Sequence, residues 1–252
     1  MSIVEREKRF YDGQWEGTQV RRIRERLAIP TVPSLAGKRV LICSCGSGVE
    51  PVMAANAGAE VWAFDISETG VAKAREMAAF NGVQVRTEVM DFHHLAYPDA
   101  FFDCIFGSCI LHHVDCAVAG REVRRCLKPG GVAFFRENSD RNPLFRFLRQ
   151  KLFGTHGTRQ RQRFLFLRRT GTEDEYPLTE GEVALLAGLF DGHMQRFFPR
   201  FDFFYLLYLG SGRKPWLGPL CSGLDTALGT LFPFLKPYSY FQELLFTRVD
   251  GS

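Results

Sequence analysis

The chain has 252 residues and a mass of 28.7 kDa, enough for one large α/β domain carrying a modest lid. With 46% hydrophobic and 24% charged residues it has the composition of a globular protein, which excludes disordered, collagenous and coiled-coil chains. Its 32 Lys and Arg against 28 Asp and Glu leave a net charge of +4, too mild a balance to imply nucleic acid by itself.

The first thirteen residues are charged where a secretion signal needs an apolar run. The seven cysteines form no Cys-x-x-Cys pair, so reduced thiols in a cytoplasmic protein are expected, with no structural zinc. An arginine-rich helical stretch is predicted over Ile3–Tyr11 and Thr18–Ile29, ending where Pro30 and Pro33 forbid continuation. Residues 1–36 are therefore read as a helical segment lying over the core.

From Lys38 short apolar runs alternate with amphipathic segments. Strands are predicted in 38–44, 59–67, 83–89, 101–108 and 130–138, with helices in 50–58, 68–82 and 115–127 between them. This alternation predicts βαβ units, hence a doubly wound, mostly parallel sheet with helices on both faces. Residues 37–139 form this core. After Asn138 the pattern breaks into arginines and a lysine interleaved with Phe and Leu through Gly171. A helix over 179–190 follows, then strand-like runs at 194–204 and 241–249 that would complete the sheet as an antiparallel hairpin. Residues 140–252 are thus read as cap insertions plus the sheet's last helix and strands. Pro215–Leu235 is the most apolar stretch, but it holds Asp225 and three prolines and is read as lid or interface, not as a membrane span.

The sharpest chemical signal lies in Val40–Glu50, where a buried strand runs through Ser44, Cys45, Gly46, Ser47 and Gly48 into a helix. Small residues at a strand-to-helix turn admit a ligand to the backbone, and the helix start offers it free N–H groups. Seventeen residues after Gly48, Asp65 ends the second apolar run, where a carboxylate can accept both hydroxyls of a ribose.

These residues resemble the class I S-adenosylmethionine-dependent methyltransferases, over roughly Arg39–Asn138. The family's glycine-rich first motif is similar to Ile42–Gly48, and the acidic residue after its second strand to Asp65. The Lys-Pro-Gly-Gly turn before its fifth strand is similar to Lys128–Gly131. The resemblance implies a Rossmann-like seven-stranded fold and S-adenosyl-L-methionine as cofactor. It assigns the ribose to Asp65, the adenine to Ile66, Asp91 and Phe92, and the methionine part to Ser44, Cys45, Gly46 and Gly48, with Ser108 at the same edge. Tyr11 and Trp15 would fold over the bound cofactor. Two departures stand out: Ile42 occupies a usually acidic position, and Ser44 a usual glycine.

The fourth strand's end, Gly107–Val114, lies where open α/β sheets place reacting groups. A histidine there suits general-base work on a hydroxyl, thiol or amine. His112 is the first candidate, and His113 shares the role or simply packs. Glu137 at the fifth strand's end is a further catalytic candidate, against a structural salt-bridged reading. Cys104, Cys109 and Cys116 are core thiols and no metal site; His93 and His94 are read as a plain loop pair. The expected acceptor is a small, apolar or lipid-like molecule, any acidic group being held by cap arginines, and a membrane-surface contact through the basic aromatic residues is a companion expectation. RNA or protein methylation is one alternative. Non-catalytic cofactor binding, suggested by Ile42 and Ser44, is a second, and a fold repurposed for another reaction, with the bound sulfonium as an electrostatic element, is a third.

Overall fold

The computed structural model describes residues 3–152, 163–164, 167–168, 176–211 and 214–249. Helix α1 (Ile3–Glu16) precedes strand β1 (Arg39–Cys43), whose Val40, Leu41, Ile42 and Cys43 are all buried. Such a run is expected of a strand covered on both faces. Then come α2 (Val49–Asn56), β2 (Glu60–Asp65), α3 (Glu68–Asn81), β3 (Arg86–Val89), β4 (Phe102–Ser108), α4 (Cys116–Cys126) and β5 (Leu127–Asn138). After α5 (Pro143–Leu152) and a two-stranded piece, β6 (Arg163–Phe164) with β7 (Leu167–Arg168), follow α6 (Glu180–Leu189) and β8 (Met194–Phe197). The chain continues with α7 (Tyr205–Gly210), α8 (Leu217–Leu231) and β9 (Phe241–Thr247).

The main sheet runs in the order β3-β2-β1-β4-β5-β9-β8. Strands β3, β2, β1 and β4 are parallel, with Ile42 paired to Ala63 on one side and Phe106 on the other. The Gly130 N–H donates to the Arg248 carbonyl and the Ser139 N–H to the Tyr240 carbonyl, so β5 and β9 run antiparallel. This is the mostly parallel seven-stranded sheet with a C-terminal antiparallel hairpin that the alternation predicts.

Local chemistry starts the helices where the sequence changes texture. Ser67 caps α3 by accepting the Gly70 N–H, and Asp115 caps α4 by accepting those of Ala117 and Val118. Gly48 precedes α2 at φ 90°. A β-carbon there would lie 2.6 Å from the Ala74 backbone, so both its conformation and the approach of α3 require glycine.

The second predicted N-terminal helix is absent: 18–29 is not helical. Side chains of α2 and α3 take its backbone groups instead. Asn81 accepts the Ile23 N–H and donates to the Arg21 carbonyl, while Asn56 donates to the carbonyls of Ile23 and Glu25. Ile23 and Leu27 are buried, so the segment is an extended strap held by tertiary hydrogen bonds that outweigh helix propensity. The predicted strand over 194–204 also stops at Phe197, two residues before Pro199, whose ring lacks the N–H a ladder needs.

The chain divides into two compact units. One comprises Met1–Phe135, Leu185–Gln195 and Leu245–Ser252, the other Arg136–Ala184 and Arg196–Leu244. In the second, the buried Asp225 carboxylate accepts the backbone N–H groups of Phe203, Phe204 and Tyr205 at 2.8–2.9 Å, and Phe145 stacks on Phe203. No helix among the described residues is long and apolar enough to cross a membrane.

Candidate active site

The carboxyl ends of β1, β2 and β4 open onto a cavity of about 410 Å³, walled entirely by the first unit. That size falls in the range of small-molecule sites, about 300–1,000 Å³. Its floor is the turn after β1. Ser44 adopts φ 55° and Gly46 φ 46°, the left-handed region that normally favours glycine. Ser44 meets that demand without being glycine and directs its hydroxyl toward Asp65 Oδ2, 3.5 Å away.

Asp65 is the best-held carboxylate of the site. Its Oδ2 accepts the Gly46 N–H at 2.8 Å and its Oδ1 the Ser67 N–H at 2.9 Å. Burial pushes its pKa up, and the N–H groups of Ser67, Gly46 and Ile66 with the Ser44 hydroxyl offset part of that rise.

At the end of β3, Asp91 is more exposed and is organised by a residue read from sequence as a plain loop histidine. His93 Nδ1 lies 2.7 Å from Asp91 Oδ1, and its Nε2 accepts the Asp115 N–H at 3.0 Å. The ring is therefore the tautomer with its proton on Nδ1, donated to Asp91. Burial opposes ionisation of Asp91, yet hydrogen bonds from the His93 backbone N–H and ring hold its carboxyl below the usual range. Phe92 is buried beside it, edge-on to Phe64, and both rings line the cavity with Ile66 and Phe106.

Helix α1 forms the roof. Glu7, Tyr11, Gln14 and Trp15 line the cavity. Asp12 fastens the helix by accepting the Ser67 hydroxyl at 2.6 Å and the Thr69 N–H at 3.2 Å. Trp15 packs so close to Gly46 that a β-carbon there would sit 2.8 Å from its ring, and its indole N–H is buried without a hydrogen-bond partner.

Past β4 the chain turns through Cys109 at φ 53° and brings His113, not His112, into the wall. His113 Nε2 lies 3.1 Å from the Tyr11 hydroxyl and its Nδ1 contacts Glu7 Oε2 at 3.1 Å, with both side chains almost fully buried. His112 stacks obliquely on His113 outside the wall. Of the other predicted site residues, Ser44, Cys45, Gly46, Asp65, Ile66, Asp91, Phe92, Ser108 and Tyr11 line the cavity. Gly48 stands behind it against Ala74, and Glu137 is fully buried in the other unit. Nothing in the spacing of α1 could have singled out Glu7, because its meeting with His113 spans more than a hundred residues. The Asp-x-His order of Asp91 and His93 was a readable signal that sequence reasoning passed over. The first part of the basic run predicted to cap the acceptor forms α5 in the second unit, and of the rest, 153–162, 165–166 and 169–171 lie outside the described residues.

The donor set suits a nucleoside carrying an amino-acid tail. It offers two carboxylates for hydroxyl and amino groups, apolar rings for a flat base, and a turn with accessible backbone. Among the described residues no group of His, Cys, Asp and Glu could hold a metal ion.

Residues 41–135 match a family model described as a methyltransferase domain. Over 109 residues the chain is 36% identical to the ubiquinone/menaquinone biosynthesis C-methyltransferase of Ralstonia pickettii (strain 12J), covering 41% of this chain and 44% of that one. Over 115 residues it is 36% identical to the ubiquinone biosynthesis O-methyltransferase of Bordetella pertussis, covering 45% and 47%. The chain thus matches less than half the length of these curated relatives. Among solved structures, the geranyl diphosphate C-methyltransferase of Streptomyces coelicolor A3(2) aligns over 99% of both chains with a TM-score of 0.58 and 14% identity. The [4+2]-cyclase SpnF aligns over 97% of this chain and 95% of its own, with a TM-score of 0.59 and 18% identity.

Proposed function

We propose that this chain, whose residues 41–135 form a methyltransferase domain in a class I S-adenosylmethionine-dependent methyltransferase fold, methylates a small, apolar or lipid-like acceptor. The observation that carries this function is Asp65, held by the Gly46 and Ser67 N–H groups beside a glycine-bearing turn at the base of the cavity. Asp65 would accept the ribose hydroxyls. Asp91 would take the adenine amino group, with Phe92 and Ile66 against the ring. The Ser44–Gly46 backbone would border the methionine part, and Tyr11, Trp15 and the unpartnered indole N–H would close over it. S-adenosyl-L-methionine supplies a methyl group on a sulfonium, already activated toward nucleophiles.

What this chain's residues add is alignment, exclusion of water and the handling of one proton. Glu7 stands at His113 Nδ1 and favours a proton there, leaving Nε2 to accept. An acceptor proton would pass to His113 Nε2, directly or through the Tyr11 hydroxyl, so His113 takes the role that the sequence assigned first to His112. Ile42 puts an apolar side chain where the family carries an acid, so more of the hold on the methionine part falls to the backbone and to Glu50, which also lines the cavity. An apolar acceptor is supported by the Phe64, Phe106, Ile110 and Val114 side chains of the wall, and by relatives named for quinone methylation.

Calorimetric titration with S-adenosylhomocysteine tests the cofactor assignment: micromolar binding is expected, weakened on the order of a hundredfold in Asp65→Ala. No binding to the folded protein rejects it. Transfer of labelled methyl from S-adenosylmethionine into a quinol or isoprenoid acceptor tests the activity. His113→Ala should lower that rate about 100-fold or more while the homocysteine product still binds. The similarity in fold to the cyclase supports a second function, conversion of an acceptor without methyl transfer. It predicts an altered acceptor whose product carries no label.

A further inference from the structure

In the second unit, helix α8 and the turn after it expose far more apolar surface than a water-facing segment requires. Cys221, Asp225 and Gly229, at i, i+4 and i+8, form its buried face. At 100° per residue, Leu220, Leu224, Ala227 and Leu231 fall together in a sector of about 60° on another side. The three leucines are exposed, Leu231 by 71%. The row continues at its ends into Trp216, exposed by 67%, and into Phe232 and Phe234, exposed by 43% and 69%. Contiguous exposed apolar rows of this kind mark interaction sites.

Charge is distributed around the row in a telling way. Lys214 precedes it and Lys236 follows it. The only acid between them, Asp225, is buried and spent on the N–H groups of Phe203, Phe204 and Tyr205. Trp216 and Tyr238 stand beside the lysines, amphipathic rings next to ammonium groups, as at a boundary between hydrocarbon and headgroups. The helix, about 22 Å long, is too short to cross a bilayer but long enough to lie in its surface. Antiparallel pairing with a second copy would set Lys214 against Lys236 at both ends. An anionic lipid surface would neutralise both.

We propose that α8, with residues 214–238, is a membrane-surface docking element that beds its leucine row into the acyl boundary of anionic bilayers and anchors at each end through a lysine and an aromatic ring. Docking of this kind stands independently of methyl transfer, although it would bring the enzyme to the phase where a lipid-like acceptor resides.

The test is binding of the full chain to vesicles of phosphatidylcholine alone or mixed with phosphatidylglycerol. Mixed vesicles should bind about 25-fold more tightly, roughly fivefold for each lysine. That preference should vanish in Lys214→Glu/Lys236→Glu. Leu220→Ser/Leu224→Ser/Leu231→Ser should weaken binding on the order of a hundredfold without shifting the melting temperature. In the unaltered chain, Trp216 emission should shift to the blue and be quenched by brominated acyl chains, a signal absent from Trp216→Phe. Failure of the unaltered chain to bind mixed vesicles overturns docking, as does equal binding by the triple variant. A leucine-dependent dimer that ignores vesicles overturns it in favour of self-association. None of these outcomes alters binding of S-adenosylhomocysteine, so docking and the cofactor assignment fail separately.

Discussion

The two units keep their apolar residues in different ways. Around the cavity, large side chains such as Phe64 and Phe106 are fully buried, and the Asp65 carboxylate at the end of β2 is tied to backbone N–H groups. In the unit of Arg136–Ala184 and Arg196–Leu244, by contrast, Leu144, Phe147, Trp216, Leu231 and Phe234 face solvent. There a buried aspartate gathers three backbone N–H groups where a regular ladder is missing. One unit encloses a cavity beside tethered carboxylates, the other leaves large apolar side chains exposed, and substitutions should register differently in the two.

The largest effect should come from Gly48→Val. The new side chain meets the Ala74 backbone and the position keeps φ 90°, so a loss of about 4 kcal/mol is expected in urea unfolding. Asp225→Ala should cost about 3 kcal/mol, because three N–H groups lose a buried acceptor. It should do so while leaving S-adenosylhomocysteine affinity intact. Loss of that affinity as well would mean the two units do not respond separately.

Next in size is an acid effect on ligand binding. Burial raises the Asp65 pKa, so on acidification its ionised, accepting form is lost first, beginning above the ordinary carboxylate range. Asp91, held below that range, stays ionised longer. Affinity for S-adenosylhomocysteine should therefore fall with falling pH, and Asp65→Asn should bind about tenfold or more weakly with that limb flattened. A pH response unchanged in Asp65→Asn would remove Asp65 as its source. The smallest effect belongs to the surface: Leu220→Ser alone should change stability by less than about 0.5 kcal/mol, since the side chain is already exposed.

Much of the first unit was legible because its signals are local. The apolar run of β1, the small residues of 44–48 and an aspartate ending β2 are each read within a dozen residues, and the parallel sheet follows from their repetition. The strap at 18–29 was misread for the opposite reason. Its arginine-rich sequence suits a helix, but Asn56 and Asn81, distant in sequence, bind its backbone and win. The choice between His112 and His113 was likewise open, because neighbours on a short turn point in different directions and only packing decides which one meets the cavity.

Readable from neighbouring residues alone, then, were the class of fold, the small-residue turn after β1 and the two carboxylates that line the same cavity, since periodicity and turn chemistry act over short stretches of chain. Only the tertiary structure decided that Glu7 and Tyr11 close on His113, that Asp225 is spent inside its unit, and that the leucines of α8 face outward. Each of these depends on which residues, far apart along the chain, remove one another from water, and no local pattern encodes that.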